Sequence, residues 1–197
     1  MTQRSDISNK LIHFTRGKTH DDAFATLWTI MNQGRLIGGN GMIRGGYSCV
    51  CFTEAPLPAL SESFANPLSF TRYSPFGVMF DKSWVFAHGG LPVIYQPDRD
   101  FNTLNEEARW RHVRYELDRK SPIDFTWERE WRIHCKELVF TPSDAIIVVP
   151  DPIWVDQMLE MHKMEQDFRV ELYSTVFSED IVETFVEEFP WRIITLI

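Results

Sequence analysis

The chain has 197 residues, a formal net charge of −8 and a pI near 5.2, which fits one domain and argues against a protein that coats nucleic acid over its whole surface. Its three cysteines lack the number and spacing of a disulfide framework or a structural zinc site. The sequence has no apolar run of about 18 residues and no apolar stretch at its start, so we expect a cytoplasmic protein without membrane contact.

The first predicted elements are a short strand at 10–15 and a helix at 19–34. Thr19 is the expected N-cap of this helix, because its hydroxyl can accept a backbone N–H of the first turn. Gly34 is the expected stop, since glycine tolerates the left-handed conformation that ends many helices. The glycine-rich stretch 38–46 follows and predicts a mobile loop, without the spacing of a phosphate-binding loop.

The rest of the chain alternates irregularly between apolar runs of strand length and amphipathic stretches, and neither repeats nor a linker divide it. This order indicates an α+β fold with a mixed sheet, in a single domain of residues 1–197. We expect strands at 47–57, 72–80, 91–95, 127–135, 144–150 and 191–197, with a helical turn at 81–90 and helices at 103–120, at 152–166 and after 177.

The predicted strand 127–135 has one face with two tryptophans and an isoleucine, which indicates packing on a core. Its other face carries two acids, an arginine and a histidine: Glu128, Glu130, Arg132 and His134. That face is either a solvated surface with paired charges or the floor of a site. In a site, a carboxylate held rigidly on a strand would stabilise a positive charge that develops in a transition state.

A second polar group lies on the first predicted strand. His13 and Thr15 share one face, while Ile12 and Phe14 face the other way. One interpretation is a structural histidine that forms a hydrogen bond within the protein. The other is a donor–acceptor pair that orients a sugar or an amide.

Several short segments follow one another in a characteristic order: "LIHFT", "IMNQGRLIG", "SCVCFTEAPL", "PFGVMFDKSW", "PVIYQ" and "FTWEREWRI…IIVVP". Through these segments the sequence resembles a bacterial family linked to abortive infection and phage defence, the AbiGi-type proteins. That family is similar to the ADP-ribosyltransferase superfamily, including the DarT-type DNA ADP-ribosyltransferases. The resemblance covers residues 11–150 and leaves 151–197 as a C-terminal helix-and-strand extension. It implies a mixed, split β-sheet with flanking helices and NAD+ bound in the cleft.

The resemblance also implies roles for residues of the first and of a late strand. Glu130, in "EREWR", matches the family glutamate that holds the nicotinamide ribose 2′-hydroxyl and stabilises the oxocarbenium-like centre. Glu128 and Arg132 would then support it or face the acceptor. His13, with Thr15 and Phe14 beside it, matches the first-strand position that holds the ribose and the nicotinamide amide.

For the middle of the site, the resemblance implies an aromatic side chain that stacks on nicotinamide. Tyr73 and Phe52 both match this position, and Arg72 would meet the pyrophosphate or the acceptor. The catalytic set implied in this way is Glu130, His13 and Tyr73, and no metal ion is required.

The resulting prediction is an NAD+-dependent mono-ADP-ribosyltransferase that modifies nucleic acid or protein. It would be the toxin or effector of a phage-defence system, with a cognate antitoxin as a partner. One alternative is a non-catalytic antitoxin or partner-binding module on the same fold. Another is a metal-dependent nuclease that uses Glu128, Glu130 and His134 and depends on Mg2+ or Mn2+.

Overall fold

The computed structural model describes residues 7–57, 65, 73–118 and 120–197. The strands in this part of the chain are β1 Lys10–Phe14, β2 Arg35–Ile37, β3 Cys49–Thr53, β4 Gly77–Asp81, β5 Leu91–Pro92, β6 Ile94–Gln96, β7 His112–Arg114, β8 Glu130–His134, β9 Glu137–Val139, β10 Ala145–Val149 and β11 Arg192–Thr195. The α-helices are α1 His20–Gln33, α2 Lys82–Ala87, α3 Pro152–Ser174 and α4 Glu179–Val182. Short 3-10 helices span Asp98–Thr103, Glu106–Arg111, Thr126–Glu128 and Glu183–Phe185.

Seven strands form the main sheet, in the order β11-β10-β4-β1-β3-β8-β5. Their neighbours are antiparallel except for β10 and β11, which run parallel, so the sheet is mixed. Two smaller pairs lie beside it, β2 with β9 antiparallel and β6 with β7 parallel. The predicted α+β class, with a mixed sheet and flanking helices, is confirmed.

Helix α1 begins and ends where its sequence signals predict. The Thr19 side chain accepts a hydrogen bond from the Asp22 N–H at 3.1 Å, and Gly34 adopts the left-handed conformation with φ of 60°. Between these ends, the buried side chains Ala23, Phe24, Leu27 and Met31 recur at helical spacing and face the sheet.

The sheet has two different faces, which we call the helix-covered face and the second face. On the helix-covered face, Leu11, Phe52 and Ile147 pack with the apolar stripe of α1 and with Met158 of α3 in the main core. On the second face, a smaller apolar cluster contains Ile12 and Val148. Alternation along each strand therefore decides which side chains join the main core and which project to the second face.

Two predicted elements in the middle of the chain are wrong. Residues 103–120 do not form one helix: the 3-10 helix Glu106–Arg111 leads directly into β7. The carbonyls of Trp110 and His112, which a continuing α-helix would use for its own N–H groups, instead accept hydrogen bonds from the buried Arg132 guanidinium. Residues 91–95 are also not one strand, because β5 pairs with β8 whereas β6 pairs with β7.

The predicted strand 127–135 starts three residues late, at Glu130. The 3-10 helix Thr126–Glu128 precedes it, and Arg129 has a left-handed φ of 45°. The Asp124 carboxylate accepts the Thr126 N–H at 2.9 Å and so favours this turn over an extended chain. Trp127 and Glu128 therefore lie outside the strand alternation that the sequence predicts.

Residues after 150 add to the same sheet. Asp151 caps α3 by accepting the Ile153 N–H at 2.8 Å, and β11 extends the sheet by pairing with β10. Helix α3 continues to Ser174, beyond the predicted end at 166. In the described part of the chain, no helix combines the length and the apolar composition that crossing a bilayer requires.

Candidate functional site

A carboxylate and a guanidinium lie side by side on the second face of β8. The Arg132 Nε donates to Glu130 Oε1 at 2.9 Å, and Arg132 Nη2 donates to Glu130 Oε2 at 3.2 Å. Both side chains are largely buried, with 6% and 13% of their surfaces exposed. A two-point contact of this kind fixes the plane of the carboxylate and keeps its charge matched by an opposite one.

The Arg132 guanidinium is anchored from its other side by backbone. Its Nη1 donates to the carbonyl of Trp110 at 2.9 Å and to that of His112 at 3.0 Å. Burial has the largest single effect on the pKa of Arg132 and lowers it, but the charge of Glu130 and its hydrogen bonds, with the neighbouring Cys51 and Cys49, together raise the pKa by more, so the guanidinium stays charged. Arg132 thus holds β7 and the preceding 3-10 helix over the middle of β8.

Cysteine and tyrosine side chains surround the Glu130 carboxylate without carrying charge. Burial, followed by the Glu130 charge, raises the pKa of the Cys51 thiol, so this thiol is protonated at neutral pH. The Tyr95 hydroxyl accepts the Glu130 N–H at 3.1 Å. Burial is the main cause that raises the pKa of Tyr95 to about 12, and the charges of Glu130 and Glu128 add to it. The charges of Glu130 and Glu128 therefore both raise the pKa of the Tyr95 hydroxyl, which is uncharged at neutral pH.

Glu128 lies in the turn that enters β8 and forms the second acidic group here. The Tyr73 hydroxyl donates to Glu128 Oε1 at 2.7 Å, and the Thr53 hydroxyl donates to the Glu128 carbonyl at 2.6 Å. The Tyr73 ring lies 6.0 Å from Phe14 and 6.3 Å from Trp127, centroid to centroid. The second face thus presents two carboxylates beside an aromatic wall at the start of β8.

His13 lies one strand away from this group. The registers Ile12↔Thr53 and Thr53↔Glu130 place Ile12 on the Glu130 side of the sheet, so alternation directs His13 to the helix-covered face. The His13 Nδ1 lies 2.8 Å from the carbonyl of Cys51, whose thiol neighbours Glu130. The structure therefore brings His13 and Glu130 to two sides of the same residue, Cys51, and not into contact with each other.

Two further predicted site residues, Thr15 and Phe52, are buried in the protein interior. The Thr15 hydroxyl is buried and donates to the carbonyls of Ala23 and Phe76, at 3.1 and 3.2 Å. Phe52 is buried in the main core, with its ring against Phe80 at 5.8 Å. Both side chains support the fold at these positions.

Phe14 and Tyr73 are brought together on the second face, on the same side of the sheet as Glu130. Arg72 lies outside the described residues. Among the predicted site residues, Glu130, Tyr73 and Phe14 therefore lie on the second face, and Tyr73 contacts Glu128 rather than Glu130, whereas Phe52 and Thr15 are buried elsewhere.

Sequence reasoning did not find Tyr95, Thr53 or Cys51 as members of this group. Cys51 and Thr53 are brought to Glu130 and Glu128 by the pairing of β3 with β8, and Tyr95 of β6 contacts Glu130 through its hydroxyl, so none of these contacts leaves a local pattern in the sequence. The alternation in "CVCFT" was the one available signal, since it places Cys51 and Thr53 on a common face.

A metal site made of Glu128, Glu130 and His134 does not form. Within residues 7–57, 65, 73–118 and 120–197, no three His, Cys, Asp or Glu side chains are grouped so that they could hold a metal ion. His134 instead lies at the far end of β8, between Tyr47 and Trp110.

Comparisons with protein-family models, with curated proteins and with solved structures found no match to this chain. The residues and their geometry are therefore the basis of any functional assignment.

Proposed function

We propose that this protein is an NAD+-dependent mono-ADP-ribosyltransferase of a bacterial phage-defence system, acting on a nucleic acid or protein acceptor. The observation that supports it is the Glu130 carboxylate, which is buried, oriented by Arg132 and accompanied by Glu128 on the same side of the sheet. A fixed anion of this kind stabilises a cationic transition state without reorganising as the charge develops.

The proposed step breaks the bond between the nicotinamide nitrogen and C1′ of its ribose, and nicotinamide leaves with the bonding electron pair. Glu130 stabilises the oxocarbenium-like C1′ that results, and it accepts a hydrogen bond from the ribose 2′-hydroxyl. An acceptor nucleophile then forms a bond to C1′ and gives up its proton. Glu128, which is oriented by Tyr73, receives that proton.

Aromatic side chains beside the carboxylates provide a surface for the flat nicotinamide ring. The Tyr73 ring lies between those of Phe14 and Trp127, and its hydroxyl contacts Glu128 at the start of β8. Offset or edge contacts with such rings favour planar ligands. His13 faces the helix-covered side of the sheet, so it does not contact a ligand on this surface and contributes through its 2.8 Å contact with the Cys51 carbonyl.

The test is incubation of labelled NAD+ with purified protein and cell lysate, with wild type beside Glu130→Gln. The control is Glu137→Gln, which removes an exposed acid of β9 that pairs with Arg35 at 2.8 Å. We expect label on nucleic acid or protein with wild type and control and none with Glu130→Gln. Circular dichroism of all three proteins separates lost chemistry from lost folding.

Two results would count against the proposal. Label released only as free ADP-ribose would indicate hydrolysis of NAD+ in place of transfer. Equal labelling by Glu130→Gln would remove Glu130 from the chemistry.

One observation favours a second candidate, a non-catalytic partner-binding module. Both oxygens of Glu130 already accept hydrogen bonds from Arg132, which also holds two backbone carbonyls and so has a structural role. Such a module predicts no NAD+ binding by calorimetry and no NAD+ consumption with any lysate.

A further inference from the structure

A cleft at the far end of β8 has features of a ligand site and is separate from the Glu130 cluster. It has a volume of about 530 Å³ and is lined by Tyr47, Asn105, Glu106, Glu107, Trp110 and His134. Glu130 and His134 are the first and last residues of β8, and the four residue steps between them correspond to about 13 Å along the strand. Between them, Arg132 is covered by the segment that carries Trp110 and His112.

Three rings form one wall of this cleft. His134 lies nearly parallel to Trp110, with centroids 5.9 Å apart and 22° between planes, and Tyr47 meets His134 edge-on at 5.4 Å. Trp110 packs with the buried side chains Ile43 and Cys49 in one apolar cluster. Its indole N–H donates to the Glu107 carbonyl at 2.7 Å, which fixes the orientation of the ring.

The glycine-rich loop supports the same wall. Gly45 has φ of 87°, and a Cβ at this position would lie 2.6 Å from the Tyr47 ring. The absence of a side chain lets the loop pack directly against Tyr47. The aromatic wall is therefore shaped by packing before any ligand arrives.

Two of the residues that line the cleft carry carboxylates, and no described cation forms an ion pair with them. Glu106 and Glu107 are exposed, and within the described residues neither carboxylate takes part in an ion pair or a hydrogen bond. The Tyr47 hydroxyl and the His134 ring nitrogens likewise form no hydrogen bond with described residues. Aromatic faces next to unmatched carboxylates attract organic cations through both the ring quadrupole and the opposite charge.

We propose that this cleft binds an arginine side chain of a protein partner. A guanidinium is planar, stacks on aromatic rings and presents several N–H donors to carboxylates, and it is more weakly hydrated than an ammonium group. These properties match a cleft that is lined by two nearly parallel rings and two carboxylates. The net charge of −8 further favours a basic partner.

The test follows the indole N–H resonance of Trp110 by NMR while acetyl-Gly-Arg-Gly-amide is added. The resonance is assigned by its loss in Trp110→Phe. The matched ligand replaces arginine with citrulline, which has nearly the same shape and no charge. We expect saturable shifts with the arginine peptide and at least about tenfold weaker binding of the citrulline peptide.

The double variant Glu106→Gln and Glu107→Gln is expected to weaken binding of the arginine peptide about fivefold or more. Glu160→Gln removes an exposed acid of α3 outside the cleft and is expected to leave binding unchanged. Equal binding of the two peptides, no shift of the Trp110 resonance, or unchanged binding by the double variant would each overturn the proposal. None of these readouts depends on NAD+ turnover.

Discussion

Arg132 joins Glu130 to two backbone carbonyls that lie 20 and 22 residues away in sequence. One guanidinium thereby connects β8, β7 and the 3-10 helix Glu106–Arg111. The same contact orients the candidate catalytic carboxylate and separates it from the aromatic cleft at His134. Arg132 therefore holds the elements of the second face together and lies between the two proposed sites.

Replacing Arg132 with methionine should destabilise the protein strongly. The change leaves the Glu130 carboxylate buried without its cation and two carbonyls without donors, which typically costs about 3–5 kcal/mol. Urea denaturation measures this loss of unfolding free energy. The control is Arg35→Met, whose ion pair with Glu137 is exposed and is expected to contribute at most about 1 kcal/mol. Similar losses for the two variants would contradict a structural role for Arg132.

Tyr73→Phe should affect chemistry more than stability. The variant removes the hydroxyl that donates to Glu128 Oε1 at 2.7 Å and keeps the ring contacts with Phe14 and Trp127. We expect a stability change within about 1.5 kcal/mol and, if Glu128 receives the acceptor proton, roughly a tenfold or greater fall in label transfer. Labelled NAD+ assays beside thermal unfolding measure the two effects. A large loss of stability with unchanged transfer would make Tyr73 a purely structural residue.

The protein should become less stable in alkali because of its buried thiols. Burial raises the pKa of Cys49 from 9.0 to about 11, and Cys51 shifts in the same direction. Because the folded state holds these protons more tightly, its stability is complete below about pH 9 and falls as the pH rises towards 11. For Cys49 alone, the expected loss is roughly 2–3 kcal/mol.

The unfolding free energy is measured across this pH range for the wild type and for the double variant Cys49→Ala and Cys51→Ala. The double variant should show a flatter profile at high pH. Tyr95, with a pKa raised to about 12, adds a further decline above about pH 10 in both proteins. Identical profiles between pH 9 and 10 would show that the thiols do not titrate in this way.

Acid should destabilise the protein through buried histidines. Burial is the main cause that lowers the pKa of His13, with Arg16 adding to it and the hydrogen bond to Cys51 opposing it. The unfolded chain therefore binds a proton first as the pH falls below about 6.5, so stability present above that pH is lost below it. His112 shifts in the same direction, also chiefly through burial.

His13→Asn isolates the contribution of His13, because an asparagine amide can still donate to the Cys51 carbonyl but does not titrate. Unfolding experiments between about pH 7 and 5 should show a smaller decline for the variant than for wild type. A decline of the same size would assign the acid sensitivity to other groups, His112 among them.

Local signals in the sequence determined the features that depend on few neighbouring residues. Thr19 and Gly34 set the ends of α1, because capping needs one side chain or one left-handed residue and nothing distant. The apolar runs predicted β1, β3, β10 and the mixed α+β class, because the pattern of a strand is also carried by neighbouring residues. Alternation also placed Glu130, Arg132 and His134 on one face of β8.

Only the tertiary structure decided how these pieces meet. The helix expected at 103–120 is replaced by a 3-10 helix and β7, because Arg132 of a distant strand takes the carbonyls at 110 and 112. The single register Ile12↔Thr53 sets His13 and Glu130 on two sides of Cys51, and Tyr95 arrives from a separate strand pair. Strand pairing and the hydrogen bonds of Arg132 to distant carbonyls join residues far apart in sequence, so their energy depends on packing and leaves no local pattern to recognise.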